Sequence, residues 1–265
     1  MNLSAEQIQQ FKDEGYLALE GFFDEREVAA MLVELERFQE DGLGHNVATD
    51  GDGETHSKTK TNYQIIPLNI KSDLFRALPW CPKVKSTVSH LIGDPYLRHL
   101  DQIFLKPPKV GAGTSWHTDN GYFKISDPSK GTGMWIAMHD ANIENGTMHI
   151  VPGGFKETFE HERDPNSDHH ITCHPDESKA IPIELKAGGV LFFNYGTPHC
   201  TKQNNSDKTR AGCAYHFLRI DYIPGRYNWK ELPPVLTGPE ATGGEKEYGV
   251  KIEGTWEDEV SKLVD

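Results

Sequence analysis

Apolar residues recur at helical spacing early in the chain, where Val28, Met31, Leu32, Leu35 and Phe38 form one stripe. Asp24 and Glu27 precede that stripe as a capping box, which predicts an amphipathic helix over 25–40. Ser4 and Gln7 repeat the box nearer the start, and Gly15 is placed to stop that first helix. Pro82 suits the first turn of a further helix running to about Ile92. The first ninety or so residues therefore read as helical, broken by a polar, Gly- and Thr-rich stretch at 41–61. A structureless run of that length inside a domain predicts a lid or an ordered functional loop.

From residue 96 the pattern changes. QIFLK, MWIAMHDA, TMHIVP, GVLFFNY and RAGCAYHFLRI are short runs of β-formers separated by Gly, Pro, Asn and Asp. Nothing of helical period lies between them, which excludes an alternating α/β sheet and predicts a sandwich, jelly roll or barrel. Residues 156–180 are polar, hold four histidines and read as an insertion. The tail after Tyr222 reads as irregular up to a final helix. The expected organisation is one domain over 1–265: a helical portion at 1–95, a jelly-roll core at 96–222, and a tail at 223–265.

Composition narrows the function. With 36% hydrophobic residues the chain can bury a core. A formal net charge of −13 argues against nucleic acid as partner. No apolar run approaches a membrane span, and the start lacks the basic and apolar parts of a signal peptide. Cys81, Cys173, Cys200 and Cys213 lack metal-like spacing. A cytoplasmic protein with reduced thiols, acting on a small molecule as monomer or homodimer, is the expectation.

The chemistry is carried by Trp116-His117-Thr118-Asp119. In a strand His117 and Asp119 would share a face and reach one ion. Two histidines and a carboxylate with open positions mark non-haem Fe(II) oxygenases. The second histidine should come from a distant strand, and His199, after the apolar run Val190–Phe193, fits best. Arg210 follows His199 by eleven residues and opens the next strand. A guanidinium there could grip the free carboxylate of 2-oxoglutarate bidentately. A second His-x-Asp, His174-Pro175-Asp176, lies in the polar insertion with a strand-breaking proline.

These blocks resemble the phytanoyl-CoA dioxygenase family of 2-oxoglutarate oxygenases from about residue 5 to 220. The opening helix and strand in FKDEGYLALEGFF, LKPP at 105–108, WHTD at 116–119, residues 134–156 and residues 188–210 carry the resemblance. It implies a double-stranded β-helix (a cupin-like jelly roll), iron ligands at His117, Asp119 and His199, and Arg210 on 2-oxoglutarate. It also implies Gln102, Trp135 and Thr201 beside that co-substrate, dioxygen as the oxidant, and ascorbate as an aid in vitro. Related halogenases put a small residue at the carboxylate position, so Asp119 implies hydroxylation. Thr118 and Gly154 depart from the glutamine and serine common there, which points to a different substrate pocket.

Asn120, Tyr122, Phe104, Asn194 and Tyr195 flank the ligands and either face substrate or pack. Tyr63 and Gln64 belong either to a lid or to no functional element. His169, His170 and His174 are expected in a solvated loop, and Cys200 should point away from its neighbour His199. Three other readings stay open. The same site supports cyclisation, desaturation or epimerisation of a natural-product intermediate. A cupin-like binding protein would need no turnover, though it would be better supported by a lost ligand. A zinc hydrolase would leave Arg210 without a role.

Overall fold

The computed structural model describes residues 2–225 and 233–265. Helix α1 spans Ala5–Glu14 and α2 spans Glu25–Glu40, each with both arms of its capping box in place, from Ser4/Gln7 and Asp24/Glu27. Gly15 closes α1 at φ 79°, a left-handed conformation that glycine takes without strain. Helix α3 covers Asp73–Ala77, and α4 starts at Pro82 and ends at Ile92, as the proline and the apolar spacing predict.

Strands β1 (Tyr16–Leu19), β2 (His45–Asn46), β3 (Tyr63–Ile65), β4 (Tyr96–Lys106), β6 (Gly131–Ala137), β11 (Val190–Asn194) and β13 (Arg210–Arg219) build the larger sheet. Its order is β1-β11-β6-β13-β4-β3-β2. The smaller sheet has the order β10-β7-β12-β5, from Ile181–Ile183, Met148–Ile150, His199–Thr201 and Thr114–His117. All these pairings are antiparallel. Two antiparallel sheets enclosing a core are the jelly roll expected of the strand pattern. A separate ribbon joins β8 (Glu162–Arg163) to β9 (Ile171–Thr172).

Period-2 alternation sorts the large sheet into two environments. Met134, Ile136, Val190, Phe192, Cys213, Tyr215 and Phe217 pack with the helices in one apolar cluster. Trp135, Ala137, Leu191, Phe193 and Ala214 face the small sheet, with Met148 and Ile150 opposite. Both faces are thus covered, which explains why β6 and β11 are buried along their whole length.

The reading of the first ninety residues as helical needs correction, because β2 and β3 come from that region as well as β1, the strand expected in FKDEGYLALEGFF, and all three extend the large sheet. They are two to four residues long, too short for an alternation to stand out. Their place is decided by pairing with β11 and β4, far away in sequence. Residues 226–232 of the expected irregular tail lie outside the described residues. Beyond them come α6 (Glu245–Tyr248) and α7 (Trp256–Val264), and Trp256 Nε1 donates to Glu27 Oε1 of α2 at 2.8 Å. Among the described residues no helix is long and apolar enough to cross a membrane.

Candidate metal centre

β12 runs antiparallel to β5, and the register sets His199 directly opposite His117. Their rings lie 4.2 Å apart between centroids. The strand β5 ends at His117. Asp119 is the first residue of a short helix α5, Asp119–Phe123, so the expectation of one strand carrying both ligands is not met. Thr118 between them is extended (φ −115°, ψ 144°), and that single extended step still sends both side chains to one side. One donor atom from each of His117, Asp119 and His199 lies within 4.8 Å of the others.

The imidazoles are oriented for metal. His117 Nδ1 lies 2.8 Å from the Ser115 carbonyl, and His199 Nδ1 lies 2.9 Å from that of Thr197. A carbonyl only accepts, so each ring holds its proton on Nδ1 and turns the Nε2 lone pair inward. Burial pushes both imidazoles down, His199 to about 4, which keeps them neutral and able to ligate. Burial pushes the Asp119 carboxyl up, but His216 and His199 outweigh it and hold it at about 2.

The orphaned atoms fit a cation. Asp119 Oδ2 is buried without a hydrogen-bond partner, and so is His216 Nδ1, 3.3 Å away but misaligned for a bond. A buried carboxylate oxygen left unpaired is costly unless a cation meets it. Two neutral imidazoles and one anionic carboxylate with free positions suit a divalent transition metal used in oxygen chemistry.

Behind the triad lies Arg210, the first residue of β13 and only 1% exposed. It donates through Nη2 to the Gly146 carbonyl, its Cζ stands 5.5 Å over the Trp135 ring, and its Nε has no partner. Burial lowers its pKa to about 10, so it stays a cation at neutral pH. Glycines make room for this packing. A Cβ at Gly212 would fall 2.3 Å from Trp135 Nε1, and one at Gly146 would fall 2.1 Å from the Lys202 carbonyl oxygen.

One cavity of about 240 Å³ is lined by the triad together with Arg210, Gln102, Trp135 and Thr201. Gln102 accepts from Gln64 Nε2 at 2.7 Å, and Gln64, Phe104 and Tyr122 also line the cavity. Other flanking residues serve the fold. Asn120 bonds both ways to Ile125, Asn194 accepts from Gly196 N and Thr197 Oγ1, and Tyr195 is fully buried in an apolar cluster. Tyr63 is 37% exposed and absent from the cavity wall. Cys200 packs with Trp116, Val151 and Cys173, and burial pushes its thiol up to about 12.

His174 and Asp176 do not form a metal pair, since His174 is 80% exposed on Glu162 and Asp176 caps a turn at Ser178. The solvated-loop expectation fails for His170, which is 7% exposed and lines the cavity. The insertion folds back through β8 and β9, and Ser167 Oγ holds the His170 ring at 2.9 Å. Thr118 caps α5 through its bond from Gly121 N, and its own N–H donates to His161 Nε2 of the insertion at 3.2 Å.

Two residues of the site escaped sequence reasoning. Lys106 is fully buried and donates to Thr201 Oγ1 and the Lys202 carbonyl, both at 2.6 Å. Burial, then the charge of Arg210, lowers its pKa well below 10.5. His216 lies on β13 at an even offset from Arg210, and that parity was the available signal.

Comparisons with known proteins agree with this architecture. The profile of the phytanoyl-CoA dioxygenase (PhyH) family matches residues 11–212. The chain therefore belongs to that family. It is 25% identical to the ectoine dioxygenase of Bordetella bronchiseptica over 260 residues, covering 90% of this chain and 83% of that one. It is 25% identical to phytanoyl-CoA dioxygenase domain-containing protein 1 of Mus musculus, covering 89% of this chain and 98% of that one. The solved epimerase SnoN, in complex with Fe3+, alpha-ketoglutarate and nogalamycin RO, superposes with a TM-score of 0.70 at 21% identity. That match covers 89% of this chain and 96% of SnoN, and at this identity the likeness concerns the fold.

Proposed function

We propose that this protein is an Fe(II)- and 2-oxoglutarate-dependent dioxygenase that hydroxylates a C–H bond of a small molecule. The observation that carries the reading is the pairing, in one cavity, of the buried His117–Asp119–His199 triad with the buried cation of Arg210. His117 and His199 would hold iron through Nε2, and Asp119 through its carboxylate, which offsets one of the two positive charges. Arg210, with the Thr201 hydroxyl, would bind the far carboxylate of 2-oxoglutarate, where a fixed guanidinium gives two parallel hydrogen bonds. Trp135 and Gln102 border the same space. When bound, iron and 2-oxoglutarate supply the oxidation: dioxygen is consumed, succinate and carbon dioxide leave, and a substrate C–H bond becomes C–OH.

The rest of the cavity wall orients substrate and excludes water. Leu100, Phe104, Tyr122 and Phe123 give apolar and aromatic surface, while Gln64 and His170 give a few directed polar contacts. Asp119 fills the carboxylate position, which favours oxygen transfer over halogenation. A zinc hydrolase would leave the buried Arg210 cation unexplained.

Succinate formation by purified protein with Fe(II), ascorbate and 2-oxoglutarate in air tests the proposal. Iron-dependent turnover is expected, falling at least about 100-fold in Asp119→Ala, since losing even an outer partner of a metal ligand costs about 10–100-fold. Absence of turnover together with absence of anaerobic 2-oxoglutarate binding in the wild type would refute it.

A further inference from the structure

A second set of metal-type donors lies where the 41–61 loop meets the 156–180 insertion. His45 Nε2 is 2.6 Å from Asp168 Oδ2, and His56 Nδ1 approaches the same oxygen at 3.9 Å. Donor atoms of all three residues fall within 4.8 Å of one another. The other carboxylate oxygen, Oδ1, meets His169 Nδ1 at 2.6 Å. A hydrogen bond accounts for His45, but 3.9 Å is too long to account for His56. The two rings stand edge to face with centroids 5.1 Å apart, and both side chains are at least half exposed, so no apolar packing explains the convergence.

The backbone beneath the cluster is cross-linked. Asp168 N donates to the Val47 carbonyl at 3.0 Å, Thr49 N to that of Asn166 at 3.1 Å, and Gly53 N to that of Pro165 at 2.8 Å. Thr49 Oγ1 adds a bond to the Pro165 carbonyl at 2.7 Å, and Arg163 Nη2 adds one to that of Gly53 at 3.2 Å. His56 sits opposite Thr49 in an antiparallel bridge. Two donors of one loop and a third from more than a hundred residues away are therefore presented by loops already tied together, which lowers the ordering cost of binding.

We propose that His45, His56 and Asp168 form a second divalent-metal site of the zinc class. Two imidazoles and a carboxylate favour zinc and its transition-metal neighbours over calcium or magnesium. Around tetrahedral zinc, with bonds of about 2.0–2.1 Å, ligand atoms stand about 3.3 Å apart. The exposed His45 and His56 side chains can reach that spacing by small rotations, His45 backing off from Asp168 and His56 closing on it. His169 holds the carboxylate in position as an outer partner. The site has a direct tie to the iron cavity, because His169 and His170 line that cavity and their rings are 4.2 Å apart. Metal here would pin the 41–61 loop to the segment forming one cavity wall.

Calorimetric titration of the untagged, metal-free, full-length protein with Zn(II) tests this. Wild type should bind two equivalents, and His45→Ala/His56→Ala should bind one. Asp119→Ala/His199→Ala should also bind one, and that variant separates the two sites whether or not the oxygenase reading holds. Both histidines of the first variant are at least half exposed, so its metal-free thermal midpoint should match that of the wild type. Unchanged stoichiometry in His45→Ala/His56→Ala, or no zinc bound by Asp119→Ala/His199→Ala, would overturn the proposal.

Discussion

Odd- and even-numbered residues of β13 sit in different surroundings. Ala211, Cys213, Tyr215 and Phe217 pack against the helices. There burial raises the Cys213 thiol and the Tyr215 phenol well above their ordinary values, so neither ionises near neutral pH. Arg210, Ala214 and His216 face the cavity, where Arg210 Nε and His216 Nδ1 have no hydrogen-bond partner, though His216 Nδ1 lies 3.3 Å from Asp119 Oδ2. The outer face is satisfied and apolar, and it holds the sheet to the helices. The inner face carries polar groups with hydrogen-bonding atoms left open toward the cavity, on a strand anchored by that outer packing. Stability and chemistry thus come from alternate residues of one strand, and each can be disturbed with little effect on the other.

The largest effect expected is on the outer face. Phe217→Ala should cost about 3–5 kcal/mol in chemical denaturation, the usual range for deleting a buried ring. Turnover per folded molecule should stay within about twofold. A large fall in specific activity with full stability would show that the two faces are coupled.

Arg210→Gln on the inner face should do the reverse. Losing charge-assisted hydrogen bonds of about 1.5–3 kcal/mol predicts a rise of about 10–100-fold in the KM for 2-oxoglutarate. KM for the primary substrate should change little. An unchanged KM for 2-oxoglutarate would remove Arg210 from the co-substrate role.

The smallest effect is a dependence on pH of the metal-free protein. Burial holds His199 at about 4 and His170 at about 3, against an ordinary 6.5. Below pH 6.5 the unfolded chain binds protons that the folded chain refuses. Stability should therefore be full above pH 6.5 and decline as the pH falls from 6.5 toward 4. The urea midpoint followed from pH 7.5 to 4.5 should show that decline, with a shallower slope in His170→Asn. Equal slopes would mean that His170 is not held neutral by burial.

Much of the site was legible because its signals are local or periodic. Capping boxes mark α1 and α2 within four residues, and apolar runs mark the long strands. His117, Asp119 and His199 stood out because ligand chemistry demands those residue types beside β-formers. The short helix at Asp119 was not legible, since Thr118 becomes an N-cap only once His161 and Gly121 pack around it. His170 was misplaced because a polar segment reads as solvated unless its folding back can be foreseen.

Sequence alone determined α1 and α2 with their caps, the start of α4 at Pro82 and the jelly-roll class, and it singled out the candidate triad, because each rests on spacing along a few residues or on donor chemistry. Tertiary structure decided which face each strand presents, that three short N-terminal strands join the large sheet, and that Lys106 and His216 stand beside Arg210 and Asp119. It also decided that His45 and His56 meet Asp168 across more than a hundred residues of chain. Such meetings follow from strand register and loop packing, and pairing over that distance leaves no periodic trace in the chain.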